Sequence, residues 1–344
     1  MLVVTAFAVP ALSSPAPREL AYAKDGAICI MRADGTGELC LTSSDADSSP
    51  IWSPNGKKVA FLRTTEHQMD LWVFDLMQRE EAKLADKVGN TFDWSPDGAS
   101  IAFSSAPDGG PLDQEQPHIH VVDTETGVIT QVTNDEARAD TEPRWSPDGA
   151  VVAFTGTTNG GSFPQSTPNA DVHVAYPSSK RVTRLTDGAA SDYSPQWSPN
   201  GKRIAFISTR DADDTGAGAA TSEIYTMRWD GRRERRLTHS PKAHNVDPEF
   251  SPDGRRILYI EYVEEEFSQI RLARTDGSSD KALEDAERVD WNPTWSPDGT
   301  QIVFASSRKA PAETDTELIR MSIDGARRRV LTDDESFQWT PDWR

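Results

Sequence analysis

The fold turns on the stretch Trp94-Ser95-Pro96-Asp97-Gly98 and the Ile101-Ala102-Phe103 that follows it. Pro presets φ at the second position of a turn, Asp tolerates the bridge region, and Gly accepts what comes next. The apolar triplet beyond reads as strand, not helix. The pentapeptide, with Asp or Asn fourth, recurs at 52–56, 145–149, 197–201 and 295–299, and at 250–254 with Phe for Trp. A shortened copy, Pro341-Asp342-Trp343, comes last. The aromatic anchors Trp52, Trp94, Trp145, Trp197, Phe250, Trp295 and Trp343 lie 42, 51, 52, 53, 45 and 48 residues apart. That is the period of a four-stranded propeller blade.

Each unit repeats one internal order. After the turn comes a short apolar strand such as Val59-Ala60-Phe61, then an alternating strand such as Ile224-Tyr225-Thr226-Met227. A hairpin follows, with Asp-Gly at 34–35, 230–231, 276–277 and 324–325, and a last strand ends near Leu-Thr, as at 41–42 and 237–238. No amphipathic helical stretch is evident. Leu20-Ala21-Tyr22 copies the post-turn strand without a turn before it, and residues 337–343 supply an innermost strand with nothing after it. Pairing these two gives an all-β, seven-bladed β-propeller with four-stranded blades and N/C-terminal velcro closure, which removes free sheet edges. Six blades plus a stray hairpin is the alternative. The propeller takes residues 18–344 as a single domain.

The 344 residues include 10 Trp and 23 Pro, and six Trp and twelve Pro belong to the repeat itself. The net charge of −19 repels phosphate backbones and anionic lipid, so nucleic acid is not an expected partner. Residues 2–12 are apolar but too short to span a bilayer, and no transmembrane segment is expected. With small residues following, residues 1–17 suit a truncated secretory signal, although the first cation is Arg18; a disordered arm is the other reading. The expected location is therefore periplasmic or secreted, otherwise cytoplasmic. Cys29 and Cys40 flank a hairpin that sets them opposite one another. A cross-strand disulfide and two free thiols both fit that placement.

The Trp-Ser-Pro-Asp-Gly-x-x-Ile-Ala-Phe repeat resembles the WD-repeat-like propeller repeats of the TolB family, over residues ~20 to 344. A similar repeat builds the propellers of prolyl oligopeptidases, dipeptidyl peptidases and tricorn-type proteases. The resemblance implies the fold strongly and a function weakly, because this architecture hosts unrelated functions. No room is left in this sequence for the N-terminal α/β domain of TolB or for a peptidase domain, and no Gly-x-Ser-x-Gly elbow is found. A stand-alone propeller is the expectation.

Loops at 106–117, 157–170 and 210–222 share one face with the acid-bearing loops that lead to Pro-x-Trp. Glu142, Asp192, Asp247 and Asp290, with His239 and His244, are the candidate binding residues on that face. A negative mouth there suits a basic protein or peptide partner. Asp211, Asp213 and Asp214 with Gly216 follow the start of a calcium loop, but position twelve is Ser222 rather than an acid. A divalent cation such as Ca2+ is thus the one cofactor with any motif behind it. His239, His244, Asp247 and His67 form a second candidate metal set, as in the propeller polysaccharide lyases that the fold resembles. His120 and His173 take the aromatic slot of the alternating strand and read as packing residues. No catalytic residues are assigned. The leading reading is a monomeric, non-enzymatic extracytoplasmic binding propeller. The alternatives are a metal-assisted enzyme acting on a carbohydrate or small molecule in the central mouth, and the recognition subunit of a separate peptidase.

Overall fold

The computed structural model describes residues 19–66, 68–106, 116–158, 170–211, 221–240, 243–264, 267–283, 288–307, 316–334 and 336–344, with backbone alone at 263 and 264. The described residues form 28 strands, β1–β28 in chain order, in seven four-stranded antiparallel sheets. The fold is thus the seven-bladed propeller read from the repeat. The innermost strands are β4 (Asp47–Trp52), β8 (Val88–Trp94), β12 (Arg138–Trp145), β16 (Asp192–Trp197), β20 (His244–Phe250), β24 (Val289–Trp295) and β28 (Gln338–Trp343). In the closing blade β28 pairs with β1 (Glu19–Lys24), which continues into β2 (Ala27–Arg32) and β3 (Leu39–Cys40).

The turn works through its polar side chains as much as through Pro and Gly. In 95–100 the Ser95 hydroxyl donates to Asp97 Oδ1 at 2.6 Å and accepts the Ser100 amide at 2.9 Å, while Asp97 also takes the Ala99 amide. The same net recurs at Ser146–Asp148 and Ser251–Asp253. The hydroxyl holds Asp97, Asp148 and Asp253 below the usual carboxylate range. Gly98 sits at φ 70°, where a Cβ is strained. The anchors pack between blades, and Trp94, Trp197 and Trp295 donate their indole N–H to the carbonyls of Ile51, Arg144 and Glu249 on the preceding blade. The Thr of Leu-Thr, or of Val132-Thr133, is also a bracing residue. Thr42, Thr133, Thr186, Thr238 and Thr332 each accept a buried backbone amide of their own blade.

The core is layered between blades. Phe61, Phe103, Phe154, Phe206, Tyr259 and Phe304, one per post-turn strand, are all buried. His120 stacks on Phe103 and His173 on Phe154, with ring centroids 5.7 and 5.3 Å apart, so both fill the aromatic slot. Cys29 and Cys40 are register partners and are joined by a disulfide, which resolves the two readings of that hairpin. No helix among the described residues is long and apolar enough to cross a membrane.

Candidate functional site

The seven inner strands surround an axial cavity of about 570 Å³, lined by residues from every blade. Pro two places before the anchor shapes its wall. It cannot donate to the ladder, and the register breaks around it, as between Ser48 and Ile51 or Tyr193 and Gln196. The residue before that Pro takes φ of 46–54°, at Ser49, Glu142, Ser194, Asp247, Asn292 and Thr340. Ser, Thr, Asn, Asp and Glu all adopt it, so the conformation does not depend on one side chain's chemistry, and the register also breaks in β8, between Val88 and Phe92, where no Pro is present. The positive φ turns that side chain toward the axis. In β8 Phe92 stands where the others have Pro, and Thr91 is not among the positive-φ residues.

Two rings of side chains result. The ring at the bulge carries Glu142 and Asp247. The ring just before the anchors carries Ile51, Asp93, Arg144, Gln196, Glu249, Thr294 and Asp342. Five carboxylates therefore line the cavity against one guanidinium. Desolvation raises all three acids of the second ring: Asp93 and Asp342 to about 6, and Glu249 to about 8 with a further push from Asp342. Arg144 pulls Asp93 and Glu249 back only in part.

Most of these acids also brace the ring. Asp342 accepts the Trp52 amide at 2.7 Å and Asp93 the Trp145 amide at 2.6 Å, each from the next blade. Glu142 accepts the Ser194 amide at 2.9 Å, the Ser194 hydroxyl at 2.8 Å and the Thr155 hydroxyl at 2.6 Å. Asp247 differs. It is exposed to the cavity and accepts no hydrogen bond among the described residues. Burial and the Glu142 charge raise its pKa, and Arg144 lowers it.

Of the residues singled out from sequence, the structure brings Glu142 and Asp247 to the cavity. Asp192 lies outside it, fully buried and ion-paired with Arg210 at 2.7 Å; Asp290 is buried in the same layer. Asp47 and Asp140 in that layer pair with Arg63 and Arg138, so these acids act as internal braces. His239 is exposed and His244 half-buried at the start of β20. Asp211 accepts the Tyr225 hydroxyl and pairs with Arg236 at 3.0 Å. Asp213, Asp214, Gly216 and His67 lie outside the described residues, as do residues 1–18. Among the described residues no group of three His, Cys, Asp or Glu is placed to hold a metal ion. Sequence reading missed Asp93, Arg144, Glu249 and Asp342, although each directly precedes an anchor and shares one ring position.

An uncharacterized protein of Agrobacterium fabrum is 31% identical over 264 residues, 72% of this chain and 80% of its own length. TolB from Acinetobacter baumannii superposes with a TM-score of 0.59 at 20% identity, over 95% of this chain and 66% of that one. An oligogalacturonate lyase from Vibrio parahaemolyticus superposes with a TM-score of 0.66 at 13% identity, over 92% and 85%. At such identities the two structures share the fold alone. The model of the TolB β-propeller domain matches residues 17–165 and 163–344, which together hold all seven blades, and the chain belongs to that family.

Proposed function

We propose that the protein is a non-enzymatic, extracytoplasmic binding propeller that takes a basic protein or peptide segment at its acidic axis. The observation that carries this reading is Asp247. It stands without a hydrogen-bond donor among the described residues, in a cavity where acids outnumber cations five to one. An arriving Lys or Arg side chain supplies the missing donor and stabilises carboxylates that the cavity otherwise holds partly protonated. Binding is then coupled to proton release from Glu249, Asp93 and Asp342. The Cys29–Cys40 disulfide supports an oxidising compartment.

Calorimetric titration with an oligo-lysine peptide at low ionic strength tests the reading. The expected outcome is saturable binding, with proton release seen as a buffer-dependent enthalpy, and a loss of roughly tenfold in affinity for Asp247→Asn. Absence of binding to the wild-type protein would overturn it.

A further inference from the structure

Away from the axis, the turn end of blades five and six departs from the charge of the whole. Segments 202–203, 228–236, 253–256 and 274–276 carry ten Lys and Arg against four Asp and Glu, in a chain of net charge −19. They form one surface. The Trp229 amide donates to the Lys202 carbonyl and the Thr275 amide to the Arg255 carbonyl within the blades. Between blades, Gly254 abuts Pro199 and the Arg235 guanidinium lies over Gly277.

Seven of the ten cations there have no carboxylate within 4 Å among the described residues. Arg228, Arg236 and Arg274 have carboxylates within 4 Å. Lys202, Arg232, Arg233, Arg235 and Arg255 are exposed and form no ion pair among the described residues. The local acids feel Arg255 and Arg235 through space but form no ion pair with them. Asp253 is held by the Ser251 hydroxyl at 2.6 Å and Asp276 by the Ser278 hydroxyl at 2.6 Å. Among these cations stands Trp229, 43% exposed, an apolar plate at the position before Asp-Gly that Ala33, Thr275 and Ile323 hold in other blades.

We infer that this ledge is a docking surface for a short acidic segment of a partner protein. Guanidinium forks grip carboxylates in two-point contacts, and Trp and Arg are the side chains that most often carry interface energy. The partner is short for an electrostatic reason. Charges beyond about 8 Å are screened at physiological salt, so a small segment senses only the ledge. An extended polyanion, such as a bilayer of acidic lipid, also meets the acidic remainder of the molecule.

The test measures anisotropy of a fluorescein-labelled glutamate-rich peptide on the full chain, alongside co-sedimentation with phosphatidylglycerol vesicles. The expected result is salt-sensitive peptide binding, weakened roughly tenfold by Lys202→Glu with Arg232→Glu and Arg255→Glu, and severalfold by Trp229→Ala at unchanged salt dependence. All four side chains are exposed, and a melting curve checks that the variants stay folded. The matched reversal Lys57→Glu with Arg79→Glu, on the corresponding end of blade two, is expected to leave binding intact. Peptide binding that survives the triple reversal, equal loss in the blade-two control, no peptide binding at all, or vesicle binding in its place would each overturn the inference. Oligo-lysine binding at the axis is read separately, so either proposal can fail alone.

Discussion

Glu249 shows how one carboxyl responds to its place on the axis. Desolvation lifts it to about 8 and Asp342 adds to the effect, so it holds its proton in the folded protein where an unfolded chain has lost it. A group whose folded pKa is raised stabilises the fold below its unfolded value, and that contribution is lost as pH rises through the folded value. Asp93 and Asp342, raised to about 6, act in the same direction over a lower window. His173 acts oppositely: desolvation and the Arg138 charge lower it to about 4, so its contribution is present above its unfolded value and fades as pH falls. The wild-type pH profile mixes these signs, but a mutant difference separates them. Glu249→Gln is expected to raise Tm by a few degrees at about pH 9 and to leave it nearly unchanged at about pH 5. Asp342→Ala loses the acceptor for the Trp52 amide and is expected to cost about 1–3 kcal/mol in chemical denaturation, whereas Asp342→Asn keeps an acceptor oxygen and costs less.

The blade is the element that the sequence announced most clearly, and the reason is chemical. The turn demands Ser, Pro, Asp or Asn, and Gly at fixed places, because hydroxyl, ring, carbonyl oxygen and positive φ each do one job there. Such demands are the same in every copy, so the same letters recur. The ring before the anchors makes no such demand. It holds Ile51, Asp93, Arg144, Gln196, Glu249, Thr294 and Asp342, three acids among four unlike residues with no one chemistry common to all seven, and read along one chain they look like noise. Asp192 and Asp290 misled for another reason: a polar residue entering a strand is read as loop-exposed, but Arg210 pairs with Asp192 inside the blade and Asp290 is buried at the same level. The Leu-Thr ending was visible and its cause was not. Thr238 accepts the Ile224 amide at 2.9 Å, with both residues buried. Thr238→Val keeps the volume and orphans that amide, so a loss of about 1–3 kcal/mol is expected in chemical denaturation.

At the scale of the molecule, the ring closes through residues far apart in sequence. Leu20 pairs with Trp343 and Lys24 with Gln338, and Arg344 reaches Glu19 with an ion pair of 2.7 Å. In the same blade the short β3 is exposed and is tied to β2 by the Cys29–Cys40 bond across a separation of 11 residues. Cys29→Ala with Cys40→Ala is expected to lower stability by about 2–3 kcal/mol, read by denaturation, with the binding affinity at the axis unchanged. Asp247 and Glu249 share a blade with part of the basic ledge, but the axial site and the ledge have no side chain in common. One molecule thus offers surfaces of opposite charge that need not compete for the same partner.

The seam also has a mechanical consequence. Strands β1 and β28 run antiparallel, and Glu19 lies beside Arg344 at one end of the ladder. Tension applied between residues 19 and 344 therefore loads the hydrogen bonds one at a time, like a zipper, instead of shearing them together. The Arg344–Glu19 clasp is the first tooth. Pulled from these two points, the ring opens at its closure before any interior blade bears the load.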